Sequence, residues 1–600
     1  NVSVHHYIRY IAASLPRFPC AEDCGAIIVK SLSRRTRSQY INHCDGVLSD
    51  LIAVMSPNHR RRVLDVLVLC SAAMALIAGR AATSPSPPHF RAANILAVET
   101  VPGRSHWNFM SAVLRALTDR GHSVVAFTSY PSQQSPTSGH GGNYTEVDTS
   151  AVLRRHAGER ASRVLSDYSR LSYIVPSVVR WSREFCDAVY DMEQVRALMV
   201  NGTDTAARFD LLVTEPLGSE CVAHLAAAVG LPMVYVVPTP MITYMQPSIV
   251  GHSANPAYVP HLLYGSAVRA FRHRLANTAV YAYGRLVRWY AELTARRRPY
   301  DVGAPAKPSV VFVNSHHVTE PTMLLPPNVV HVGGIHLDRA NGALPTNIQE
   351  FIENSPHGVI YFTFGSVVAM SSLPDHIQDT FKNVFRQIPQ RILWKFEGEM
   401  KDKPNNVMTG NWFPQLHPNV KLFISHGGIS GVYEAVDAGV PVLGFPLYYD
   451  QPRNLQSLMD AGMAITMELL SITEQQFLHG IKELLHNKNY TKNALITAER
   501  FKDRPMTPQE SVVYWTEYVL RHKGAHHLKS EALNLTWYQY MLLDVIFVFV
   551  VSFLAIMYLI YKMFKYFYSL ATNYLISLHS SENFNTFIEI VTPVLDDLVD

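Results

Sequence analysis

The sequence has few cysteines and little excess charge of either sign. Its 600 residues include six cysteines, and 52 Lys and Arg against 48 Asp and Glu give a net charge of +4. So few cysteines in so long a chain exclude a framework of disulfides as the main support of the fold. The chain also lacks a basic run interleaved with aromatic residues, so we expect no nucleic-acid partner.

Paired CxxC units are missing as well. Cys20, Cys24, His43 and Cys44 are near one another in the sequence, but their spacing is not that of a zinc site. We therefore predict no metal site.

The length exceeds what one hydrophobic core usually covers, so we expect two large domains with appendages. Residues 1–54 show no sustained periodicity. Met55 then begins a basic stretch, an apolar run at 66–77 and a group of small residues, which is the layout of a secretory signal peptide. We expect translation to start at Met55 and residues 1–54 to be upstream sequence carried in by a gene model; a genuine extension is the alternative.

One long hydrophobic run lies near the carboxyl end. Residues 541–561 are apolar except for Asp544, which is enough for one transmembrane helix, and Lys562 and Lys565 follow. With a cleaved signal, the chain would be a single-pass type I membrane protein with a lumenal body. Four sequons would allow lumenal glycosylation, at Asn143, Asn201, Asn489 and Asn534.

The clearest local pattern spans residues 420–454. It predicts a buried strand at 421–425, a His426-Gly427-Gly428 turn, a helix from about 430 to 438, a strand at 440–445 and a polar loop with Asp450 and Gln451. A glycine turn that leads into a helix presents free N–H groups and a partial positive charge to an anion. Ligands of open parallel sheets bind at the carboxyl ends of strands. The stretch therefore predicts a site for a phosphate-bearing ligand.

Other polar residues follow predicted strands. His106 lies at the end of the loop between the strand at 95–98 and a helix predicted at 107–120, Glu215 ends the strand at 209–215, and Ser366 follows the strand at 358–363. Strands are also predicted at 233–237 and 391–395, and a long helical region from about 151 to 200. A carboxylate beside His106 would fix the imidazole tautomer and stabilise its protonated form. Asp210, at a strand's start, is a less favoured partner, and Glu220, in the next helix, is the reserve.

Several motifs arrive together in a characteristic order. They are Trp412-Phe413-Pro414-Gln415, His417-Pro418-Asn419-Val420, Ser425-His426-Gly427-Gly428, Glu434 and Asp450-Gln451. This order resembles the donor-binding signature of the UDP-glycosyltransferases, and Asn-Pro-Ala-Tyr-Val-Pro at 255–260 and Asp-Gln-Pro-Arg-Asn at 450–454 resemble its insect-type animal members. The resemblance implies an α/β fold of the GT-B class, in which two Rossmann-like doubly wound domains face a cleft. It also implies an endoplasmic reticulum membrane location with lumenal catalytic domains.

The resulting domain prediction combines these signals. It assigns 1–54 to an upstream extension, 55–82 to a signal peptide, 83–336 to an N-terminal acceptor-binding domain, 337–530 to a C-terminal UDP-sugar-binding domain, 541–561 to a transmembrane helix and 562–600 to a cytosolic tail. The linker between the two large domains is predicted at about 337–347, where Gly, Pro and Asn occur.

The resemblance also implies a role for each site residue. His106 would be the general base, held by Glu215. The implied donor-binding residues are Ser366, Trp412, Gln415, His426, Gly427, Gly428, Ser430, Glu434, Asp450 and Gln451, with Ser430 standing where the family has asparagine. Of these, Trp412 and Gln415 would contact the uracil, Glu434 the ribose, the turn and Ser366 the diphosphate, and the Asp450-Gln451 pair the sugar. No cofactor beyond the UDP-sugar co-substrate is expected.

These features predict an inverting transfer of a sugar, with glucose favoured over glucuronate, to a hydroxyl of a small lipophilic acceptor, as in detoxification. One departure concerns Gln415 and His417, which only Leu416 separates where the family usually has five residues. This four-residue gap beside the nucleotide and Glu215, which stands where the family has aspartate, support the alternative, a non-catalytic lumenal homologue that binds lipophiles or regulates a partner. A sugar-nucleotide epimerase is disfavoured because a GxxGxxG fingerprint near the N-terminus is absent. Homo- or hetero-oligomers remain open.

Overall fold

The computed structural model describes residues 91–132, 143–153, 163–200, 202–265, 268–294, 304–337, 345–366, 368–411, 413, 419–580 and 583–596. The expected extension and signal peptide lie outside these ranges, as do Trp412 and Gln415. The elements below belong to the compact unit Ala92–Asp600.

The first sheet consists of seven parallel strands in the order β3-β2-β1-β4-β5-β6-β7. They are β1 (Asn94–Val98), β2 (Ser123–Thr128), β3 (Tyr144–Asp148), β4 (Leu211–Thr214), β5 (Met233–Val237), β6 (Val310–Val313) and β7 (Val329–His331). Most are short apolar runs, as expected for parallel strands covered on both faces. The strand order reverses between β1 and β4, which is where doubly wound sheets bind ligands.

Helices cover the faces of this sheet. They are α1 (Arg104–Arg120), α2 (Ser150–Leu153), α3 (Leu171–Tyr190), α4 (Glu193–Val200), α5 (Gly202–Arg208), α6 (Cys221–Val229), α7 (Gln246–Val250) and α8 (Phe271–Thr294). The long helical region predicted at 151–200 is divided, with a π-helical turn at Val164–Tyr168 before α3. A disulfide between Cys186 and Cys221 joins α3 to α6.

The second sheet has six parallel strands in the order β10-β9-β8-β11-β12-β13. They are β8 (Val359–Thr363), β9 (Arg391–Lys395), β10 (Val407–Gly410), β11 (Val420–Ser425), β12 (Val442–Gly444) and β13 (Ala464–Thr466). The accompanying helices are α9 (Thr346–Glu353), α10 (Asp375–Phe385), α11 (Ile429–Ala438), α12 (Gln451–Asp460), α13 (Glu474–His486) and α14 (Lys488–Lys502). Here the order reverses between β8 and β11, so both sheets have a switch point.

The chain then returns to the first sheet. Helix α15 (Pro508–Arg521) packs on α1, where Val512 and Val519 join the core beneath the first sheet and Glu517 Oε1 pairs with Arg120 Nε at 2.7 Å. Two doubly wound parallel sheets of this kind confirm the predicted GT-B fold. The domain boundaries stay predictions, and α15 contacts the first sheet although it follows the second in sequence.

The described carboxyl-terminal part is helical. It comprises α16 (Trp537–Tyr540), α17 (Leu543–Ser580) and α18 (Asn583–Asp596). Helix α17 is long and apolar enough to cross a membrane, and none of its most apolar window is buried against the rest of the described chain. Its 38 residues span about 57 Å, against a bilayer hydrocarbon core of ~30 Å. The helix therefore continues into the predicted tail, 562–600.

Candidate active site

His106 and Glu215 meet at the switch point of the first sheet. The sequence placed His106 in a loop, but α1 begins at Arg104, after the N-cap Gly103, so His106 lies in the first helical turn. Its Nδ1 is 2.6 Å from Glu215 Oε1, and the side chains are 21% and 1% exposed. Because Nδ1 bonds the carboxylate, Nε2 is the nitrogen that can accept a proton.

The other two carboxylates considered as partners lie elsewhere. Asp210 Oδ2 accepts a hydrogen bond from the N–H of Asn94 at 2.8 Å, at the far end of the strand. Glu220 pairs with Arg288 at 2.9 Å and with Lys307 at 3.1 Å. Of the three, Glu215 is the partner of His106.

A second buried carboxyl group at the switch point, Glu99, stands directly after β1. Its Oε2 accepts hydrogen bonds from the N–H of Ser129 at 2.6 Å and from Thr128 Oγ1 at 2.9 Å, while Oε1 is buried with no hydrogen-bond partner among the described residues. Burial raises the pKa of Glu99 to about 7. The sequence analysis missed this residue, although a charge directly after a buried strand was the available signal.

The electrostatic setting favours protonation of His106. Burial alone would lower the pKa of the imidazole, but the negative charges of Glu215, Asp450 and Glu99 outweigh burial and raise it. Asp450 belongs to the second half of the chain, so the field at His106 has contributions from both halves.

The predicted phosphate turn follows β11, and a second turn like it follows β8. Gly427 has φ +86° and its N–H donates to Ser425 Oγ at 3.1 Å; Gly365 has φ +76° and its N–H donates to Thr363 Oγ1 at 3.1 Å. The N–H of Gly427 is therefore bonded to the side chain of Ser425, and its role at the diphosphate stays a prediction. Gly428 is the N-cap of α11 and offers no side-chain acceptor, which leaves the N–H groups of the first turn, including Ser430, available for an anion.

His426 is packed between these two turns. A Cβ atom on Gly365 would lie 2.8 Å from its ring, and one on Gly428 would lie 2.6 Å from it. Burial and the charge of Lys395 lower the pKa of His426 to about 4, so the imidazole is neutral at pH 7.

Lys395, at the end of β9, places its positively charged ammonium group beside the turn that follows β8. Its Nζ donates to the carbonyl oxygen of Gly365 and lies 3.4 Å from Glu397 Oε1. Ser366 is exposed at this edge. The sequence analysis placed Lys395 at a strand end but assigned it no role.

Glu434 lies in the second turn of α11 beside His336. Burial raises the pKa of Glu434 to about 8, and its Oε2 has no hydrogen-bond partner among the described residues. His336 Nε2 is 3.2 Å from the carbonyl oxygen of Ser430 and 4.0 Å from Glu434 Oε1. The start of α11 is thus supported by His336, a residue that the sequence analysis did not single out.

Asp450 and Gln451 stand at the start of α12 and are 7% and 3% exposed. Asp450 Oδ2 accepts a hydrogen bond from Asn454 Nδ2 at 2.7 Å. Gln451 Oε1 accepts from the N–H groups of Leu447 and Tyr448 at 2.9 and 3.1 Å. Oε1 of Gln451 therefore stabilises the loop that precedes α12, and the side-chain nitrogen Nε2 is the group left to donate to a ligand.

Residues of the first half anchor this segment. Tyr449 has φ +58°, a conformation that is costly for a residue other than glycine, and its hydroxyl lies 3.0 Å from that of Tyr244. The ring of Tyr448 packs edge-on against Tyr168, with centroids 5.6 Å apart. Beyond the Asp450-Gln451 pair, Arg453 forms a buried ion pair with Glu320. Contacts on both sides of Asp450 thus fix its place opposite His106.

A family model described as UDP-glucoronosyl and UDP-glucosyl transferase matches residues 95–574, which include all of these site residues. The chain belongs to the UDP-glycosyltransferase family. UDP-glucosyltransferase 2 of Dactylopius coccus is 36% identical over 491 residues, covering 78% of this chain and 92% of the relative. UDP-glucuronosyltransferase 2B16 of Oryctolagus cuniculus is 30% identical over 475 residues, covering 74% and 88%. The solved glycosyltransferase SnogD from Streptomyces nogalater gives a TM-score of 0.45 at 18% identity, covering 71% of this chain and 99% of that one.

For this UDP-glycosyltransferase, the predicted uracil contacts Trp412 and Gln415 lie outside the described residues. Phe413 between them is 2% exposed and packs edge-on against Tyr361. Among the residues that the structure describes, no group of three His, Cys, Asp or Glu side chains could hold a metal ion. Lys395 and the N-terminal end of α11 supply positive charge at the turns that follow β8 and β11.

Proposed function

We propose that this UDP-glycosyltransferase transfers glucose from UDP-glucose, with inversion, to a hydroxyl group of a small lipophilic acceptor. The observation that carries the proposal is the His106–Glu215 pair, in which the carboxylate is buried and the imidazole is partly exposed, and whose electrostatic surroundings include Asp450 of the donor half. The relative from Dactylopius coccus is named a glucosyltransferase and is 36% identical, against 30% for the rabbit glucuronosyltransferase, which favours glucose.

His106 is the proposed general base. Its Nε2 takes the proton of the acceptor hydroxyl while the oxygen forms a bond to the anomeric carbon. The bond from that carbon to the β-phosphate oxygen breaks, and its electron pair leaves with UDP. Glu215 stabilises the resulting imidazolium, and base catalysis of this kind contributes ~10²–10⁴-fold.

The departing diphosphate needs positive charge. The N–H groups at the start of α11 and the ammonium of Lys395 supply it, with Ser366 as a further hydrogen-bond donor. No metal or other cofactor is therefore part of the proposal. Glu434 would bond the ribose hydroxyls, and Trp412 with Gln415 the uracil.

The proposed location is the membrane of the endoplasmic reticulum, with α17 as anchor and the body in the lumen. The disulfide between Cys186 and Cys221 suits an oxidising compartment. Three sequon asparagines, Asn143, Asn489 and Asn534, are exposed. A lipophilic acceptor and a membrane anchor together support a role in detoxification.

The test is UDP release by microsomes that contain the full chain, supplied with UDP-glucose or UDP-glucuronate and a mixture of phenols. We expect release that depends on the acceptor, prefers UDP-glucose and disappears in His106→Ala. His357→Ala is the matched control, since His357 is exposed and precedes β8, so that it lies at the opposite end of this strand from Gly365 and Ser366. Retained release in His106→Ala would refute the base. Binding of UDP without any transfer would instead favour the non-catalytic homologue, which the gap after Gln415 suggests.

A further inference from the structure

Helix α8 is amphipathic, but its large apolar side chains point away from the body. The residues that face inward are buried, among them Asn277, Val280 and Tyr281. The exposed ones are Phe271 (72%), Leu275 (60%), Leu286 (59%), Trp289 (58%), Tyr290 (61%) and Leu293 (67%), which we call the outer face of α8. A helix that lies on a soluble protein normally turns polar residues to water. A contiguous apolar surface of this kind marks an interaction site.

The remaining exposed positions of α8 are small or basic. They are three alanines, Ala276, Ala279 and Ala282, two threonines, Thr278 and Thr294, and two arginines, Arg272 and Arg285. Large apolar and aromatic side chains accompanied by arginines are typical of helices that lie in the interface of a bilayer.

Contacts connect α8 to the segment that leads into α17. Arg288 of α8 donates to Ser248 Oγ of α7 at 2.8 Å. Directly after α7, a Cβ atom on Gly251 would lie 2.9 Å from Ala532 Cβ. Lys529 Nζ donates to the carbonyl oxygen of Lys307 at 2.8 Å. The chain therefore leaves the body beside α7, the helix that α8 contacts.

The distance to the membrane is short. Ten residues lie between Ala532 and Leu543, where α17 begins, and the link they form reaches at most ~40 Å when extended. Part of this link is helical, and its Trp537 is 71% exposed, which suits a place at the membrane surface. Helix α8 itself is about 36 Å long.

We propose that the outer face of α8 lies on the bilayer that α17 enters, with its large side chains among the lipids and Arg272 and Arg285 at anionic headgroups. This inference rests on the proposed membrane anchor and is independent of the sugar-transfer chemistry. A second copy of the chain is the competing occupant, and the experiment separates the two.

The experiment places a polarity-sensitive fluorophore on Trp289→Cys in the full chain, reconstituted in vesicles of phosphatidylcholine and phosphatidylserine. Leu495→Cys is the matched control, because Leu495 is 57% exposed on α14 of the other half. The labelled parent chain gives the background of its own cysteines. We expect a blue-shifted emission at position 289 that spin-labelled lipids quench, and a water-like, unquenched emission at 495.

A water-like signal at 289 in vesicles where α17 resists carbonate extraction would overturn the proposal. So would a blue shift that lipid spin labels leave unquenched and that grows with protein density, since it indicates contact between copies. Loss of α17 from the vesicles would refute the anchor on which the inference depends.

The Arg272→Glu and Arg285→Glu variants test the headgroup contact. An arginine near an anionic surface is worth about fivefold in the ratio of docked to undocked α8. We expect lipid quenching at 289 to fall in each variant with phosphatidylserine present and to change little in phosphatidylcholine alone. Equal quenching in both lipids would overturn the headgroup contact. UDP release in detergent, which these variants should retain, reports the proposed transferase separately.

Discussion

Replacing Glu215 by Gln tests the coupling between this carboxylate and His106. The variant keeps the size of the side chain but removes the charge 2.6 Å from Nδ1. A hydrogen bond to a charged group contributes ~1.5–3 kcal/mol, and each 1.36 kcal/mol is tenfold in rate. We therefore expect kcat/KM to fall by about 10- to 150-fold.

The pH profile gives a second readout. A histidine general base acts only when it is neutral. Under the proposed mechanism, kcat/KM for UDP-glucose therefore rises with pH through the pKa of His106. The carboxylate of Glu215 is the largest influence that raises this pKa, against the effect of burial. Without that charge the pKa falls, and the acidic limb of the profile moves to lower pH.

The assay is steady-state UDP release from pH 5 to pH 9 at saturating acceptor, with Asp210→Asn as control. Asp210 is also an acidic residue beside β4, but it bonds Asn94 and does not contact His106. We expect the control to have the same kcat/KM and the same acidic limb of the pH profile as the parent enzyme. An acidic limb that stays in place in Glu215→Gln would refute the coupling, even if the rate falls.

Three further predictions concern the second half and the disulfide. Tyr244→Phe and Tyr449→Phe each remove one hydroxyl of a 3.0 Å pair. Each variant should raise KM for UDP-glucose about two- to tenfold. The double variant should raise this KM no further than either single variant, and the inhibition constant of UDP should stay unchanged. Additive effects would contradict this pairing. Gly427→Ala introduces a Cβ at φ +86° and within 2.5 Å of a leucine side chain, and it should weaken UDP binding measured by calorimetry. Gly398→Ala is the control, because its Cβ at φ +82° meets nothing within 4 Å and adds only backbone strain. This control should bind UDP as tightly as the parent enzyme. Cys186→Ser opens a loop with a sequence separation of 35 and should lower the free energy of unfolding by about 4 kcal/mol; an unchanged urea midpoint would count against it.

Local patterns were sufficient for most of the scaffold. The strands predicted at 233–237 and 391–395 are observed with the same bounds, because buried parallel strands are short apolar runs. The resemblance to the UDP-glycosyltransferases implied Glu215 as the partner of His106, and the structure places the two side chains together where β1 and β4 are neighbours. The start of α1 was missed because its N-cap is Gly103, which has no capping side chain, so His106 was assigned to a loop.

The residues that escaped prediction act over long distances in the chain. Tyr244 and Tyr449 are 205 positions apart, and His336 is 94 positions from Ser430. Such contacts depend on how two domains pack, and no local period of hydrophobicity encodes them. Lys395 needed the strand order of the second sheet, which places β9 beside β8, before its position near Gly365 could be inferred.

The anchoring of the segment around Asp450 has a consequence for exchanging parts between relatives. Its neighbours Tyr449 and Arg453 contact Tyr244 and Glu320, which precede the linker. A hybrid enzyme that takes only residues after the linker from a glucuronosyltransferase would inherit the proposed nucleotide site complete, but the proposed sugar contacts, Asp450 and Gln451, would have neighbours from another enzyme. If these two residues select the sugar as proposed, transplanting the preference for one sugar requires the matching tyrosine and glutamate to be transferred with the donor half.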